Sequence, residues 1–374
     1  MSAKKLGFGL MRLPLIDAND PTSIDIEQAK KMVDLFMERG FTYFDTAWMY
    51  HSFKSEEAAK TILTERYPRD SYTLATKLHS SYLKCPEDRD RIFNEQRRKT
   101  GVEYFDYYLL HNVTADCYEE LEKYDCFTWL KEKKAQGLAK HIGCSSHSSP
   151  EFLEKLLTEH PELEFVQLQL NYLDWESERV QARKCYETVT KYGKKVIVME
   201  PVRGGALANV PAEAEQLFKA YAPESSVPSW AIRFAASLEN VMMVLSGMST
   251  LAQVEDNTAY MKDFQPLNDV DLQLVYKAAE VINQSVVIPC TGCSYCTDGC
   301  PQKIAIPQIF SLYNADKQES PDKPWTPQGE YYENLVHTTG KASDCIGCGQ
   351  CEHMCPQHLP IIEHHKTIAA HFEG

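Results

Sequence analysis

The sequence predicts an α/β protein: a (β/α)8 barrel over residues 1–265, followed by a smaller, mainly α-helical domain over residues 266–374. Three observations lead there. From Met1 to about Met261 short β-rich runs alternate with amphipathic helical stretches about eight times, the pattern of βα units on a parallel sheet. An open nucleotide-binding sheet would normally show a Gly-x-Gly-x-x-Gly turn after its first strand, and this chain has none. Cysteines then crowd into the last quarter of the chain in a spacing that occurs twice.

The expected strands are Gly7 to Leu10, Phe41 to Phe44, Tyr72 to Thr76, Tyr107 to Leu110, Lys140 to Gly143, Phe165 to Leu170, Val196 to Met199 and Val241 to Leu245. Between the first two, Ile26, Ala29, Val33, Phe36 and Met37 keep helical spacing behind Asp25 and stop at Gly40, so Asp25 is the expected cap of the first crossover helix. Similar helices fit Ser55 to Arg66, Glu87 to Lys99, Glu119 to Gln136, Pro150 to Glu159 and Glu178 to Tyr192.

In the C-terminal domain Cys290, Cys293, Cys296 and Cys300 precede Pro301, and Cys345, Cys348, Cys351 and Cys355 precede Pro356. Three thiolates at intervals of three wrap one face of an iron-sulfur cube. The fourth lies too far along to close that cube and in two-cluster proteins serves the other one. This assigns Cys290, Cys293, Cys296 and Cys355 to one 4Fe-4S cluster, and Cys345, Cys348, Cys351 and Cys300 to a second, in a ferredoxin-like domain. Structural zinc would need only paired Cys-x-x-Cys steps and gains nothing from the third Cys or the Pro. Between the motifs Pro307, Pro321, Pro324 and Pro327 imply helix mixed with extended loop.

A formal charge of −14 argues against nucleic-acid binding, which rests on clustered Lys and Arg; a redox partner with a basic docking face suits it better. No apolar run approaches a membrane span, and the stretch after Lys4 and Lys5 is broken at Arg12 and Pro14, too short for a secretory signal. A cytoplasmic protein is expected. The five remaining cysteines, Cys85, Cys117, Cys126, Cys144 and Cys185, form no disulfide-like framework, and Cys144 at a barrel mouth reads as a buried small hydrophobe. Adjacent His364 and His365 point apart on a helix and read as surface residues.

Reacting groups in barrels gather at the C-terminal ends of strands. Asp45, Lys77 and His111 each directly follow an expected strand, and Tyr50 lies just beyond Asp45. The segments Gly7-Phe-Gly-Leu-Met-Arg-Leu-Pro14, Phe44-Asp-Thr-Ala-Trp-Met-Tyr50 with Ser55-Glu56, Ala75-Thr-Lys77 and Tyr107-Tyr-Leu-Leu-His111-Asn112 resemble the aldo-keto reductase family over the whole TIM barrel. The C-terminal motifs resemble its subgroup with a ferredoxin-type extension. That resemblance implies a catalytic tetrad at Asp45, Tyr50, Lys77 and His111. Tyr50 would give the proton, its pKa lowered by Lys77; Asp45 would fix Lys77; a neutral His111 would donate a hydrogen bond to the carbonyl oxygen.

The resemblance also implies a nicotinamide-dinucleotide groove at Ser145, Ser146, Gln167, Gly204, Gly205, Ser246, Gln253 and Asn257. Ser146, Met199, Gly247 and Gln253 depart from the common pattern, the last two where NADP users often carry cations, so NADP and NAD both stay open. The implied function is oxidoreduction between a small carbonyl and its alcohol, with two clusters exchanging electrons with a partner. Hydride carries two electrons and a cluster one, so a splitter on the partner, another route to substrate, or structural clusters all remain. The alternative is an electron-transfer protein whose barrel is a docking scaffold without nicotinamide chemistry.

Overall fold

The computed structural model describes residues 4–18, 20–178, 180–319 and 327–374; Pro321 and Pro324 lie outside them. Eight parallel strands close into a barrel in sequence order: β1 (Leu6–Gly9), β2 (Tyr43–Asp45), β3 (Thr73–His79), β4 (Phe105–His111), β5 (Ala139–Ser146), β6 (Phe165–Gln169), β7 (Lys195–Met199) and β8 (Val241–Ser246). β8 pairs back onto β1. The chain divides into two compact units: Met1–Glu176, Gln181–Pro201 and Pro228–Val270 form the first, and Ser177–Val180, Val202–Val227 and Asp271–Gly374 the second.

The crossover helices form where the sequence asks for them. Helix Ile26–Glu38 begins behind Asp25, whose carboxylate accepts the Gln28 N–H at 3.0 Å, and the chain leaves it through Gly40 at φ 80°, a conformation glycine adopts without strain. Other expectations shift. The span 119–136 is two helices, Ala115–Lys123 and Cys126–Ala135, because Asp125 takes a left-handed φ of 50° between them. The expected helix from Glu178 starts only at Ala182, after Gln181 at φ 52°. β3, β4 and β5 each run past the expected end, so Lys77 and His111 lie within their strands instead of after them.

That extension explains the site. Inside the barrel Tyr43, Ala75, Leu109, Phe165, Ile197, Met243 and Leu245 form one buried layer. Side chains two residues apart on a strand share a face. Asp45, Lys77, His111 and Gln167 are each two residues beyond a member of that layer, the first three on adjacent strands β2, β3 and β4 and Gln167 on β6, so the alternation that builds the floor also aims these four polar groups at the C-terminal mouth.

The second unit is mainly helical, with helices Ala212–Tyr221, Ile306–Glu319, Pro327–Val336 and Ile361–Phe372. Its core is Ile288, Ile304, Ile306, Ile309, Phe310, Leu359, Ile361 and Ile368, with Cys296, Cys351 and Cys355 buried among them. A parallel bridge joins Ile304 to Gly340, and a Cβ on Gly340 would fall 2.1 Å from the Gln302 carbonyl. Close approach of the segments carrying the two cysteine motifs therefore requires glycine there.

Candidate active site and thiol cavities

At the mouth, Lys77 Nζ donates to Asp45 Oδ1 at 2.5 Å and to the Thr46 carbonyl at 2.7 Å, and it lies 3.5 Å from Tyr50 Oη. The Tyr50 ring meets the His111 ring edge-on at 5.9 Å between centroids. All four side chains that the sequence singled out are therefore brought together. The Lys77 and Asp45 side chains are 1% and 4% exposed. Burial pushes the Asp45 carboxyl up and the Lys77 amine down, each opposed by the other's charge, and the Gln167 amide adds to the support for the carboxylate.

The phenol differs from expectation. Burial first, then the charges of Asp45 and Glu200, push the Tyr50 hydroxyl well above its ordinary range. Lys77 does not reverse this, because its short hydrogen bonds go to Asp45 and Thr46 and its contact with Tyr50 is longer. Burial, followed by the charges of His79, Lys77 and His147, holds His111 well below the usual imidazole range, and its Nδ1 is buried with no hydrogen-bond partner among the described residues. It is a neutral imidazole, able to donate from one nitrogen.

Sequence reasoning missed the neighbours. His79 ends β3 opposite His111 in register, with ring centroids 5.4 Å apart. Its Nδ1 accepts the Ser81 N–H at 3.2 Å, which puts the ring proton on Nε2, and burial brings its pKa down to about 4. Its placement two residues past Lys77 was the signal. The loop bearing Tyr50 is strained: His51, Ser52 and Phe53 take φ values of 51°, 49° and 69°, each costing about 1–2 kcal/mol outside glycine. His51 holds that loop, donating from Nδ1 to the Pro21 carbonyl at 2.9 Å while Nε2 accepts the Leu13 N–H at 3.2 Å. Lys99 braces it too, donating to the Phe53 carbonyl at 3.0 Å.

In the second unit the eight motif thiols ring two cavities. One is lined by Cys290, Cys293, Cys296 and Cys355; the other by Cys300, Cys345, Cys348 and Cys351. Each set takes one thiol from the other motif. Burial and then the neighbouring thiols Cys293, Cys290 and Cys355 push the Cys296 thiol up, while burial lifts Cys351 to about 11. Among the described residues no three His, Cys, Asp or Glu side chains converge on a point suited to a single metal ion. Ringed sulfurs in apolar walls are the donor set an iron-sulfur cube takes.

With this geometry stand the similarities to known proteins. A profile described as "Aldo/keto reductase family" matches residues 5–280. The chain belongs to the aldo/keto reductase family. A profile described as "4Fe-4S dicluster domain" matches residues 289–359, so this aldo/keto reductase carries a C-terminal 4Fe-4S domain. The fold is similar to an aldo-keto reductase from Bacillus halodurans in its holo form, at TM-score 0.59 and 22% identity, covering 73% of this chain and 91% of that one. It is also similar to an aldo-keto reductase from Klebsiella pneumoniae in complex with NADPH, at TM-score 0.58 and 16% identity, covering 74% and 95%. Among curated relatives, an aldo-keto reductase of Mycolicibacterium smegmatis is 27% identical over 159 residues, 39% of this chain and 54% of that protein. One from Bombyx mori is 24% identical over 136 residues, 34% and 43% respectively. The chain spans about half or less of the length of these curated relatives.

In this aldo/keto reductase the side chains expected at the dinucleotide groove are largely engaged with their own chain. Ser145 Oγ accepts the Asn112 N–H at 2.8 Å and Ser146 Oγ donates to the Val113 carbonyl at 2.7 Å. Asn257 donates to Ser246 Oγ at 2.8 Å, and Gln253 accepts the Ser249 N–H at 2.7 Å. Gln167 Oε1 is buried without a partner among the described residues. Gly204 and Gly205 fall in the second unit. A Cβ on Gly204 would lie 1.8 Å from the Thr291 carbonyl, whereas one on Gly205 would meet nothing within 4 Å. A Cβ on Gly247 would lie 3.2 Å from Cδ of the aliphatic stem of Arg12. Among the described residues no helix is long and apolar enough to cross a membrane.

Proposed function

We propose that this chain reduces a small carbonyl compound at the barrel mouth with hydride from NADPH or NADH, and that Tyr50, Lys77, Asp45 and His111 do the protein's part. The observation that carries the reading is the Lys77 ammonium between the Asp45 carboxylate at 2.5 Å and the Tyr50 hydroxyl at 3.5 Å. Nicotinamide, when bound, supplies hydride to the carbonyl carbon. Tyr50 delivers its proton to the carbonyl oxygen, and Lys77 steadies the phenolate left behind. Neutral His111 donates to the same oxygen and stabilises the charge that develops on it. Burial keeps the phenol protonated, the form that can give a proton to the carbonyl oxygen.

The thiol sets support two 4Fe-4S clusters, one on Cys290, Cys293, Cys296 and Cys355, the other on Cys345, Cys348, Cys351 and Cys300. Such clusters pass electrons singly, to or from a cytoplasmic redox partner that bears the two-electron splitter. A second reading, an electron-transfer protein with the barrel as scaffold, is favoured by the internal hydrogen bonds of Ser146, Gln253 and Asn257.

Anaerobically purified protein tested with carbonyl compounds and NAD(P)H separates the two. Tyr50→Phe should lower reduction by about 10²- to 10⁴-fold with iron and sulfide unchanged. Unchanged turnover in that variant would exclude the phenol as proton donor, and no NAD(P)H fluorescence response from the wild type would leave the scaffold reading standing.

A further inference from the structure

The sequence places His365 on an exposed helix face, and the structure does not. On helix Ile361–Phe372 it is 1% exposed and lines the cavity ringed by Cys300, Cys345, Cys348 and Cys351. Neither ring nitrogen has a hydrogen-bond partner among the described residues. A neutral imidazole carries one N–H donor and one acceptor, and a donor left unmade away from water is a cost that folded proteins rarely bear. The nearby walls are apolar: Ile304, Ile306 and Ile362 share the lining, and the Phe310 ring lies 5.6 Å away. Apart from Gln302 and Gln350, the side-chain acceptors that line that cavity are its sulfurs.

We infer that His365 donates its ring N–H to a sulfur of the cluster held by Cys300, Cys345, Cys348 and Cys351, and so sets the reduction potential of that cluster. The inference rests on the cluster reading above. A donor aimed at a cluster sulfur stabilises the reduced, more negative state and raises the potential. Among the described residues no histidine lines the other cavity, whose buried donors without a partner are Thr291 Oγ1 and Gln357 Nε2. One of the two reduction steps should therefore depend on His365 and the other should not.

The test uses full-length protein purified anaerobically, with iron and sulfide determined first and a redox titration followed by electron paramagnetic resonance. His365→Leu removes the donor, and His365→Gln keeps an N–H. The expected result is one step moved to lower potential in the leucine variant, the other unmoved, with glutamine restoring part of the shift. In reduced wild type labelled with 15N-histidine, pulsed resonance should show a weak nitrogen coupling that His365→Leu abolishes. Two wild-type steps in an iron-replete leucine variant, or a coupling that survives the substitution, would overturn the inference and leave the clusters in place. If the leucine variant loses its iron, absence of nitrogen coupling in the wild type overturns it alone. Wild type without iron and sulfide removes the cluster reading and this inference together.

Discussion

The barrel mouth and the thiol cavities are built in opposite ways. At the mouth, Asp45, Lys77 and His111 are more than thirty residues apart along the chain, and parallel register alone brings them together: Asp45 lies on β2 beside β3, and β3 carries Lys77 beside Leu109 of β4. In the second unit, six of the eight thiols are already grouped by their spacing of three, and the fold contributes only the exchange of Cys300 and Cys355. A site made by register depends on the whole barrel and has its buried charges paired within it. A site made by spacing is nearly written in the sequence and depends on two segments approaching each other.

That contrast can be broken at the barrel first. Lys77→Met leaves the Asp45 carboxylate buried without its cation, and losing one partner of a buried pair costs about 3–5 kcal/mol; denaturant unfolding should report a loss of that order, with reduction abolished. Stability unchanged by the substitution would mean that the pair is neutral in the folded protein. Cys355→Ser tests the other side. About half the iron should go, and it should be the half associated with the first motif, although the substitution lies in the second; loss confined to the second motif's signal would refute the exchange of thiols.

Glu56 sharpens the comparison through pH. It accepts from Thr76 at 2.7 Å and Gln96 at 2.8 Å, and burial, opposed by these bonds, raises its carboxyl to about 7. The folded barrel keeps a proton that the unfolded chain releases near the ordinary glutamate value of 4.5, so stability is full below that pH and falls as pH rises toward 7, by on the order of 3 kcal/mol. Glu56→Gln should flatten that slope in urea melts taken across the range; an unchanged slope would assign it to other groups. The smallest effect is expected at Gly204, where alanine meets the Thr291 carbonyl and a left-handed φ of 67°. Destabilisation of about 1–3 kcal/mol should appear in the second unit's unfolding and leave NAD(P)H binding intact. Loss of nucleotide binding with normal stability would instead support the dinucleotide contact expected of Gly204.

Much of this was legible in the sequence, for different reasons. The alternation of β and α stretches and the lack of a glycine-rich first turn were enough for the barrel, because hydrophobic periodicity reports directly on which face is buried. Asp45, Tyr50, Lys77 and His111 stood out only through resemblance, since a polar residue near a strand end is common. What was hidden needed three dimensions. His79 becomes a neighbour of His111 only through the β3–β4 register, Arg12 reaches Gly247 through the β1–β8 closure, and His365 is buried by a core whose members come from both sides of the inter-motif segment. The acidity expected of Tyr50 failed for a related reason: the sequence shows a lysine for the phenol, but not that Asp45 and Thr46 claim its shortest bonds.

The exchange of Cys300 and Cys355 binds the fate of the two motifs together. Cutting the chain anywhere between them leaves one chamber with three sulfurs and the other with its lone Cys300 on the N-terminal piece, or the mirror image on the C-terminal piece, and Ile306, which borders both chambers, has nothing to divide. Neither half is a smaller working version of the pair, so the doubled motif can be inherited, transplanted or lost only as a single piece.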